Sequence, residues 1–313
     1  MNTSKILYLF TRTPLHVGAG ASVGAIDQPV IRERHTGFPI IPATSLKGTF
    51  ADEWNERVTE KHRNGDEEKE FEVIRRSADG RWLFGETEAE HAAAGALQFT
   101  EARLLAFPVR SAKGGFAWIT CPLMLRRAAR DGVFSSETIS SLAEPTDEQA
   151  LFVAEGPLAI DDQLVLEEYT FKHTGDSEAA TIGKALGKLL NDPVWREVKD
   201  RLVILSDGMM SYFARNACEI AQHVRIDDET GTAAGGALFN QENVPSETMF
   251  YAVIHAFDER AANKAPDQRR KAEEAFKVFE EKVTTRPVFQ FGGDASTGLG
   301  YCTVTLARGE LSG

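Results

Sequence analysis

The first fifty residues carry the pattern that most restricts the fold of this chain. Residues 6–10 (ILYLF) are branched or aromatic and predict a buried strand. Residues 15–42 are rich in glycine and proline and keep no helical or strand period, so they predict a long loop. Compact domains usually keep loops of this length for a function. The chain therefore begins as a strand, a long loop and a helix.

The predicted helix after the loop also predicts a site for an anion. Thr44 and Ser45 are typical N-cap residues, and apolar side chains recur at helical spacing from residue 46 to residue 54. Free backbone N–H groups, the helix dipole and the charge of Lys47 would meet at this helix start. A plain N-cap beside a solvated lysine explains the same residues.

The rest of the chain predicts an α+β fold of the split βαβ kind with large insertions. Residues 56–95 are charged and indicate a solvated excursion, and residues 218–239 indicate a long hairpin with a polar tip. Further strands are predicted at 97–109, 116–125, 202–205, 249–256, 288–291 and 301–306, and further helices at 181–190 and 268–283.

Composition and charge exclude several classes of protein. The chain has 313 residues, 42% of them hydrophobic, and a net charge of −12, which argues against indiscriminate coating of nucleic acid or an anionic membrane. The three cysteines lie far apart, and no apolar run has the length of a signal-peptide core or a membrane span. We therefore expect a reduced, cytoplasmic protein with no membrane partner. The first fifty residues are an exception in charge, with five cations against two anions.

Two glycine clusters resemble nucleotide-binding loops only superficially. Residues 18–24 (GAGASVG) are one residue too long for the dinucleotide pattern, and no helix follows them. Residues 292–300 (GGDASTGLG) lack the Gly-Lys pair of a P-loop. Both clusters can be tight turns. Alternatively, they let the backbone approach the phosphates of a polymer without obstruction by side chains.

Asp27 and His16 are candidates for chemistry within this cationic segment. A carboxylate surrounded by cations stays ionised, so Asp27 suits the binding of a divalent cation or the orientation of a hydroxyl group. An Asx turn before Pro29 would explain the same aspartate. His16 can move a proton near neutral pH, although a structural role is the commoner one. Arg32 and Arg34 can pair with acidic neighbours or reach phosphates.

Several motifs together resemble one known family. The first block comprises LHVGAG at 15–20, IDQPVIRERHTGFPIIP at 26–42 and TSLKG at 44–48. The later blocks are VRID at 224–227, GALF at 236–239, ENVP at 242–245, and the glycine cluster at 292–300 followed by a tyrosine. These blocks are similar to the RAMP superfamily of CRISPR proteins, and within it to the repeated backbone subunit of type III-B (Cmr) effector complexes. Residues 56–200 contribute almost nothing to the likeness.

The resemblance implies one RAMP domain over residues 1–313. Its ferredoxin-like (RRM-like) core would comprise approximately 1–56, 97–125 and 246–313, with insertions at about 57–96 and 126–217 and a projecting thumb hairpin at about 218–245. It also implies copies stacked as a filament along a guide RNA, other Cmr subunits as partners, and thumbs that displace bases of the guide–target duplex. Each copy would cut single-stranded target RNA beside its thumb with a divalent metal, Mg²⁺ or Mn²⁺.

The resemblance places Asp27 at the position of the family's cleavage aspartate, as metal ligand or as the group that orients the attacking 2′-hydroxyl. His16 would assist proton transfer, Lys47 would neutralise phosphate charge, Glu242 is a further catalytic candidate, and the product would be a cyclic phosphate. The residues expected to bind RNA are Arg32, Arg34, Ser45, Lys47, Arg225, Gly293, Gly298 and Gly300.

Three other functions fit the same sequence. The chain can be a purely architectural RNA-binding subunit, the backbone subunit of the related type III-A complex, or a small-molecule phosphohydrolase. Asp27 favours the endoribonuclease, because an architectural subunit could lose this carboxylate without losing its binding of RNA.

Overall fold

The computed structural model describes residues 3–20, 24–64, 67–86, 93–175, 177–260 and 264–309. It is an α+β fold, as the sequence predicted. The strands are β1 (Thr3–Thr11), β2 (Ile40–Ile41), β3 (Asn55–Asn64), β4 (Glu67–Arg76), β5 (Leu97–Phe99), β6 (Ala102–Ser111), β7 (Gly115–Thr120), β8 (Gln149–Ala150), β9 (Gln163–Leu166), β10 (Tyr169–His173), β11 (Leu202–Ile204), β12 (Glu219–Ile226), β13 (Ala233–Asn243), β14 (Met249–Ala256), β15 (Val288–Gln290) and β16 (Tyr301–Arg308). The helices are α1 (Ala43–Asp52), α2 (Ala78–Phe84), α3 (Pro122–Arg130), α4 (Ser177–Gly187), α5 (Val198–Arg201), α6 (Asp207–Asn216) and α7 (Ala272–Thr285).

Strand β1 lies in the middle of the large sheet. It pairs antiparallel with β14 on one side and with β16 on the other, and the sheet continues through β6 to β9, β10 and β8. Leu7 and Leu9 pack into one core cluster, whereas Tyr8 and Phe10 pack into a second cluster. Because both faces of the strand are covered, its sequence is apolar throughout instead of alternating.

An aromatic cluster joins α1 to α7 and to the C-terminal strands. Phe50 of α1 lies 5.1 Å from Phe279 of α7, 5.0 Å from Phe289 and 5.6 Å from Phe291, measured between ring centroids. These contacts are edge-to-face, which is a favoured geometry for aromatic pairs. They fix α1 against the segment that leads into the glycine cluster at 292–300.

Two hairpins form sheets of their own, separate from the large sheet. Strands β3 and β4 pair antiparallel, with Asn55 opposite Arg76, and β12 pairs with β13, with Glu219 opposite Asn243. At the turn after β12, the Asp227 carboxylate accepts hydrogen bonds from two backbone N–H groups. Those bonds, chiefly the one from Thr230, lower the pKa of Asp227.

Some of the sequence predictions for individual elements are correct and others are wrong. The bounds predicted for the strand at 249–256 are confirmed by β14. The N-cap prediction is wrong, because α1 begins at Ala43 and Pro42 is its cap residue. Residues 56–95 include a regular hairpin and a helix, and the strand predicted at 116–125 is divided into β7 and α3. Charged residues on both strands, including the ion pairs Arg57–Glu72 and Arg75–Glu60, explain why the composition of the hairpin looked like that of a solvated loop.

Within the described ranges, none of the helices has both the length and the apolar character needed to cross a lipid bilayer.

Candidate functional site

The long loop after β1 folds back on itself as a short antiparallel ladder. The N–H of Ala19 donates to the carbonyl of Pro29 over 2.9 Å, and the N–H of Ile31 donates to the carbonyl of Val17 over 2.8 Å. This pairing brings the segment that carries His16 beside the segment that follows Asp27. Sequence periodicity missed it because the paired stretch is only a few residues long.

The inner end of β13 holds this loop from the other side. Leu15 and Val244 exchange two backbone hydrogen bonds of 2.8 and 2.9 Å. The N–H of Gln28 donates to the carbonyl of Asn240 over 3.0 Å, and the N–H of Glu242 donates to the carbonyl of Gln28 over 2.9 Å. The base of the β12–β13 hairpin and both arms of the loop therefore form one hydrogen-bonded unit.

Asp27 lies exposed at this junction. Its Oδ2 accepts a hydrogen bond of 2.8 Å from the backbone N–H of Asn240. The carboxylate thus reaches across to the hairpin, so its observed hydrogen bond is not the predicted Asx contact before Pro29. Within the described residues Oδ1 accepts no hydrogen bond. One oxygen atom is therefore positioned by the protein, and the other remains available to a ligand.

His16 is buried, and its ring orientation is set by a single contact. Its Nδ1 lies 2.7 Å from the carbonyl oxygen of Glu242. A carbonyl oxygen only accepts hydrogen bonds, so we assign the proton of the neutral ring to Nδ1, which leaves the lone pair on Nε2. A Cβ placed on Gly18 would lie 3.0 Å from Nε2, and Gly18 itself is exposed. The glycine therefore keeps the approach to Nε2 open.

The C-terminal glycine cluster supports the backbone of His16. The N–H of Gly293 donates to the carbonyl of His16 over 3.0 Å. Gly292 has φ +77°, and a Cβ at this position would lie 2.0 Å from the same carbonyl oxygen. Only glycine accommodates both the positive φ and the close approach of this carbonyl oxygen. Gly300 is restricted similarly by the carbonyl of Phe291, whereas Gly298 has open space around it.

Arg32 and Glu242 form a buried ion pair. Arg32 Nη2 lies 2.5 Å from Glu242 Oε1, and the side chains are 17% and 4% exposed. Arg32 Nη1 also donates to the carbonyls of Gly37 and Ala214, over 2.8 and 2.5 Å. The second oxygen of Glu242 accepts from the N–H of Val30 over 2.9 Å. Both groups are therefore engaged inside the protein, and the contact of Arg32 with RNA and the catalytic role of Glu242 stay predictions.

The neighbouring charges in the loop differ in their exposure. Glu33 accepts hydrogen bonds from Arg127 and Thr36. Burial raises the pKa of Glu33, but these hydrogen bonds and the Arg127 charge outweigh it, so the pKa of Glu33 is lowered overall. Arg34, in contrast, is exposed. Of Arg32 and Arg34, it is therefore Arg34 that can contact a phosphate group.

The start of α1 carries the other predicted anion ligands. Lys47 is exposed and Ser45 is half-buried, and both lie in the first turns of the helix. Leu46 is the first residue of α1 whose backbone N–H donates a helical hydrogen bond, to the carbonyl of Pro42 over 3.1 Å. The preceding N–H groups point out of the helix start. Arg225 lies on β12, but the placement of its side chain is outside what the structure describes.

Sequence reasoning missed the buried amide groups of β13. Gln241 and Asn243 are 1% and 2% exposed, and Gln241 Nε2 donates to Asp294 Oδ2 over 2.8 Å. Asp294 stands in the left-handed region with φ 59°. The sequence did contain a signal for these buried amides: polar residues stand on both sides of Glu242 in a strand that leads into an apolar segment.

The described side chains do not form a metal site by themselves. Among them, no group of three or more histidine, cysteine, aspartate or glutamate residues is arranged to hold a metal ion. Asp27 is a single carboxylate, and a divalent ion prefers about six oxygen ligands. The protein residues therefore do not fit a self-sufficient metal centre.

The sequence of this chain is similar to known proteins over nearly its whole length. The family model of the RAMP superfamily matches residues 9–303. A curated relative, the CRISPR system Cmr endoribonuclease Cmr4 of Pyrococcus furiosus, is 33% identical over 305 residues, covering 95% of this chain and 94% of that protein.

Solved structures agree with the sequence comparison. The crystal structure of oligomeric Cmr4 from Pyrococcus furiosus has a TM-score of 0.68 and 25% identity, over 97% of this chain and 98% of that one. A cryo-EM structure of the type III-B Cmr-beta complex bound to cognate target RNA contains a chain with a TM-score of 0.66 and 18% identity, over 97% and 96% of the two chains. At that identity the likeness concerns the fold.

Proposed function

Because this chain belongs to the RAMP superfamily, we propose that it is a backbone subunit of a type III-B CRISPR ribonucleoprotein that binds guide RNA and cleaves complementary target RNA. The observation that carries the proposal is the exposed Asp27 carboxylate, one oxygen of which is held by a backbone N–H of the β12–β13 hairpin. The relative that matches 95% of the chain is described as a Cmr endoribonuclease, which favours type III-B over type III-A.

In this proposal the β12–β13 hairpin is the thumb, at about residues 218–245. The ferredoxin-like core is the sheet around β1 with α1 and α7, within one domain of residues 1–313. Further copies of the chain lie along the guide RNA in a filament with other Cmr subunits, in the cytoplasm. The oligomeric crystal structure of the Pyrococcus relative supports the part of the proposal that concerns copies of the chain.

The proposed reaction is an in-line attack of a 2′-hydroxyl. A nucleotide displaced from the duplex is free of A-form geometry, so its 2′-oxygen can align with the adjacent phosphorus. The bond from the 2′-oxygen to phosphorus forms and the bond to the 5′-oxygen breaks. The base takes the proton of the 2′-hydroxyl, and the departing 5′-oxygen takes a proton from solvent water. The products are a 2′,3′-cyclic phosphate and a 5′-hydroxyl.

The residues of the chain take separate roles in this reaction. Asp27 orients the 2′-hydroxyl through its unbonded oxygen, and Nε2 of His16, which carries the lone pair, accepts the proton. Lys47 offsets the charge that develops on the phosphate. Glu242 and Arg32 position the loop through their buried pair and do not touch the RNA.

Guide binding in this proposal depends on contacts that do not read the base sequence. Arg34, Ser45, Lys47, Arg225 and the glycines at 293, 298 and 300 contact the phosphate backbone, and base pairing supplies specificity. Of the two arginines expected from the sequence to bind RNA, we assign this role to Arg34, since the guanidinium of Arg32 is engaged within the protein.

The dependence on Mg²⁺ or Mn²⁺ expected from the sequence stays a prediction. Asp27 supplies one carboxylate, so phosphate oxygens and water would have to provide the other ligands. Cleavage by the assembled complex in EDTA, with and without added Mg²⁺, tests this separately from the role of Asp27 as a hydroxyl-orienting group.

The substitution Asp27→Ala tests the proposed function. We expect single-turnover cleavage of target RNA by the assembled complex to fall by about 100-fold or more, because a group that orients the nucleophile is lost. The affinity for guide and target should stay unchanged, because the phosphate contacts remain. Glu137→Gln, an exposed carboxylate remote in sequence from the site, is the matched control. Cleavage by Asp27→Ala at the wild-type rate would support the architectural alternative instead.

A further inference from the structure

Three hydrogen bonds and two peptide links form a closed circuit around His16. Its ring Nδ1 donates to the carbonyl of Glu242 over 2.7 Å, and its own carbonyl accepts from Gly293 over 3.0 Å. The residue before Glu242 is Gln241, the residue after Gly293 is Asp294, and Gln241 Nε2 donates to Asp294 Oδ2 over 2.8 Å. The circuit joins β13 and the glycine cluster directly to the two ends of His16.

The two side chains that close this circuit have different surroundings. Gln241 is 1% exposed, so its amide must be paired inside the protein. Its Nε2 also lies 3.2 Å from Asn243 Oδ1, which fixes the amide with its N–H groups toward both acceptors. Asp294 is exposed and has the left-handed conformation at φ 59°, which aspartate adopts more readily than most residues other than glycine.

We propose that the Gln241–Asp294 hydrogen bond is a tether that positions His16 for proton transfer, an inference that rests on the proposed ribonuclease function. The tether sets the distance between the Glu242 carbonyl, which holds Nδ1, and the Gly293 N–H, which holds the His16 backbone. With the tether in place the ring keeps its proton on Nδ1 and presents the lone pair of Nε2 at the open side of Gly18. Gln241 and Asp294 are thus positioning residues.

The substitution Gln241→Glu breaks the tether by placing two carboxylates against each other. We expect single-turnover cleavage to fall about tenfold while the affinity for target RNA changes less than about twofold, because the side chains of Gln241 and Asp294 are not among the proposed phosphate contacts. Adding Asp294→Asn should restore the rate to within about twofold of wild type, since the amide at position 294 then donates to the carboxylate at position 241. Ser296→Ala, an exposed change in the same loop, is the matched control.

The ring of His16 gives a second measurement that does not depend on cleavage. In the full-length chain labelled with ¹⁵N at histidine, the His16 ring shifts should report protonation at Nδ1 in the wild type. They should report a mixture of tautomers in Gln241→Glu and the wild-type pattern again in the double variant. His16→Gln identifies the signals among the seven histidines. If Gln241→Glu fails to fold, Asp294→Ala can replace it, because this variant buries no new charge. We expect it to lose the ring shifts that report protonation at Nδ1 in the same way.

Two outcomes would overturn the tether. One is a wild-type cleavage rate and wild-type ring shifts in both Gln241→Glu and Asp294→Ala. The other is a loss of rate in Gln241→Glu that Asp294→Asn does not restore, since the defect would then not pass through this pair. A wild-type complex that cuts no RNA would instead contradict the proposed function, so the two failures are distinguishable.

Discussion

The two separate hairpins have similar strand lengths but are attached to the protein in different ways. In β3–β4 the ion pair between Arg57 and Glu72 lies in solvent, with side chains that are 80% and 72% exposed. The base of β12–β13 instead holds a buried ion pair, the ring of His16 and the carboxylate of Asp27. A two-stranded sheet is marginally stable by itself. The β12–β13 hairpin is therefore stabilised by the same contacts that build the candidate site.

Exposed apolar side chains do not distinguish the two hairpins. Ile74 of β4 is 71% exposed, and Leu238 of β13 is 63% exposed. What differs is the presence of buried polar contacts at the base. If β12–β13 displaces bases of an RNA duplex, as proposed, then the force on its outer part is transmitted to the loop that carries Asp27.

Breaking the buried ion pair should have the largest effect. We expect Arg32→Met to lower the free energy of unfolding by about 3–5 kcal/mol, because Glu242 would stay buried without its partner. Chemical denaturation followed by circular dichroism measures this change. The double variant Arg32→Met with Glu242→Gln should recover part of the loss, since a neutral amide can still accept from the N–H of Val30. A double variant no more stable than Arg32→Met would contradict a buried-charge origin of the effect.

A smaller, pH-dependent effect is expected at the foot of the β12–β13 hairpin. Burial and the negative charge of Asp192 raise the pKa of Glu247 from its ordinary 4.5 to about 7, against the opposing charge of Arg12. Between these values the carboxyl group is ionised in the unfolded chain and protonated in the folded one. This residue therefore makes stability fall as the pH rises from 4.5 to about 7, with no effect below 4.5 and no further loss above about 7.

We therefore expect Glu247→Gln to stabilise the protein by about 1 kcal/mol at pH 8, after allowance for solvent screening of this half-buried group, and to have little effect near pH 4.5. Thermal melts at the two pH values measure the difference. Equal shifts of the melting temperature at both pH values would show that the carboxyl group does not titrate in this way.

The smallest effect is expected in the β3–β4 hairpin. Arg57→Met removes an ion pair of 3.8 Å between two exposed side chains, so the free energy of unfolding should change by less than about 0.5 kcal/mol. Denaturation in low and high salt should give the same small value. A loss of unfolding free energy as large as that of Arg32→Met would show that the two hairpins are attached to the protein in the same way.

Much of the fold followed from local patterns, but the site followed only in part. The strand at 249–256 and the helix near α7 were predictable because their apolar residues repeat over many positions. Residues 55–76 were misjudged because a hairpin rich in ion pairs has the composition of a loop. Asp27 and His16, the residues that the sequence singled out, both contact the β13 strand, whereas sequence reasoning did not single out Asn240, Gln241 or Asp294.

The sequence by itself determined the α+β class, the family and the segment in which the candidate chemistry lies, because these depend on periodicity and on the order of motifs along the chain. Only the tertiary structure decided which of two neighbouring arginines is buried and which is exposed. It also decided that Glu242 is paired inside the protein, and that a hydrogen bond between residues 241 and 294 closes the surroundings of His16. The contacts between residues 241 and 294 and between residues 32 and 242 join positions that are 53 and 210 apart along the chain, and exposure depends on which face of the backbone is covered. No local pattern encodes either.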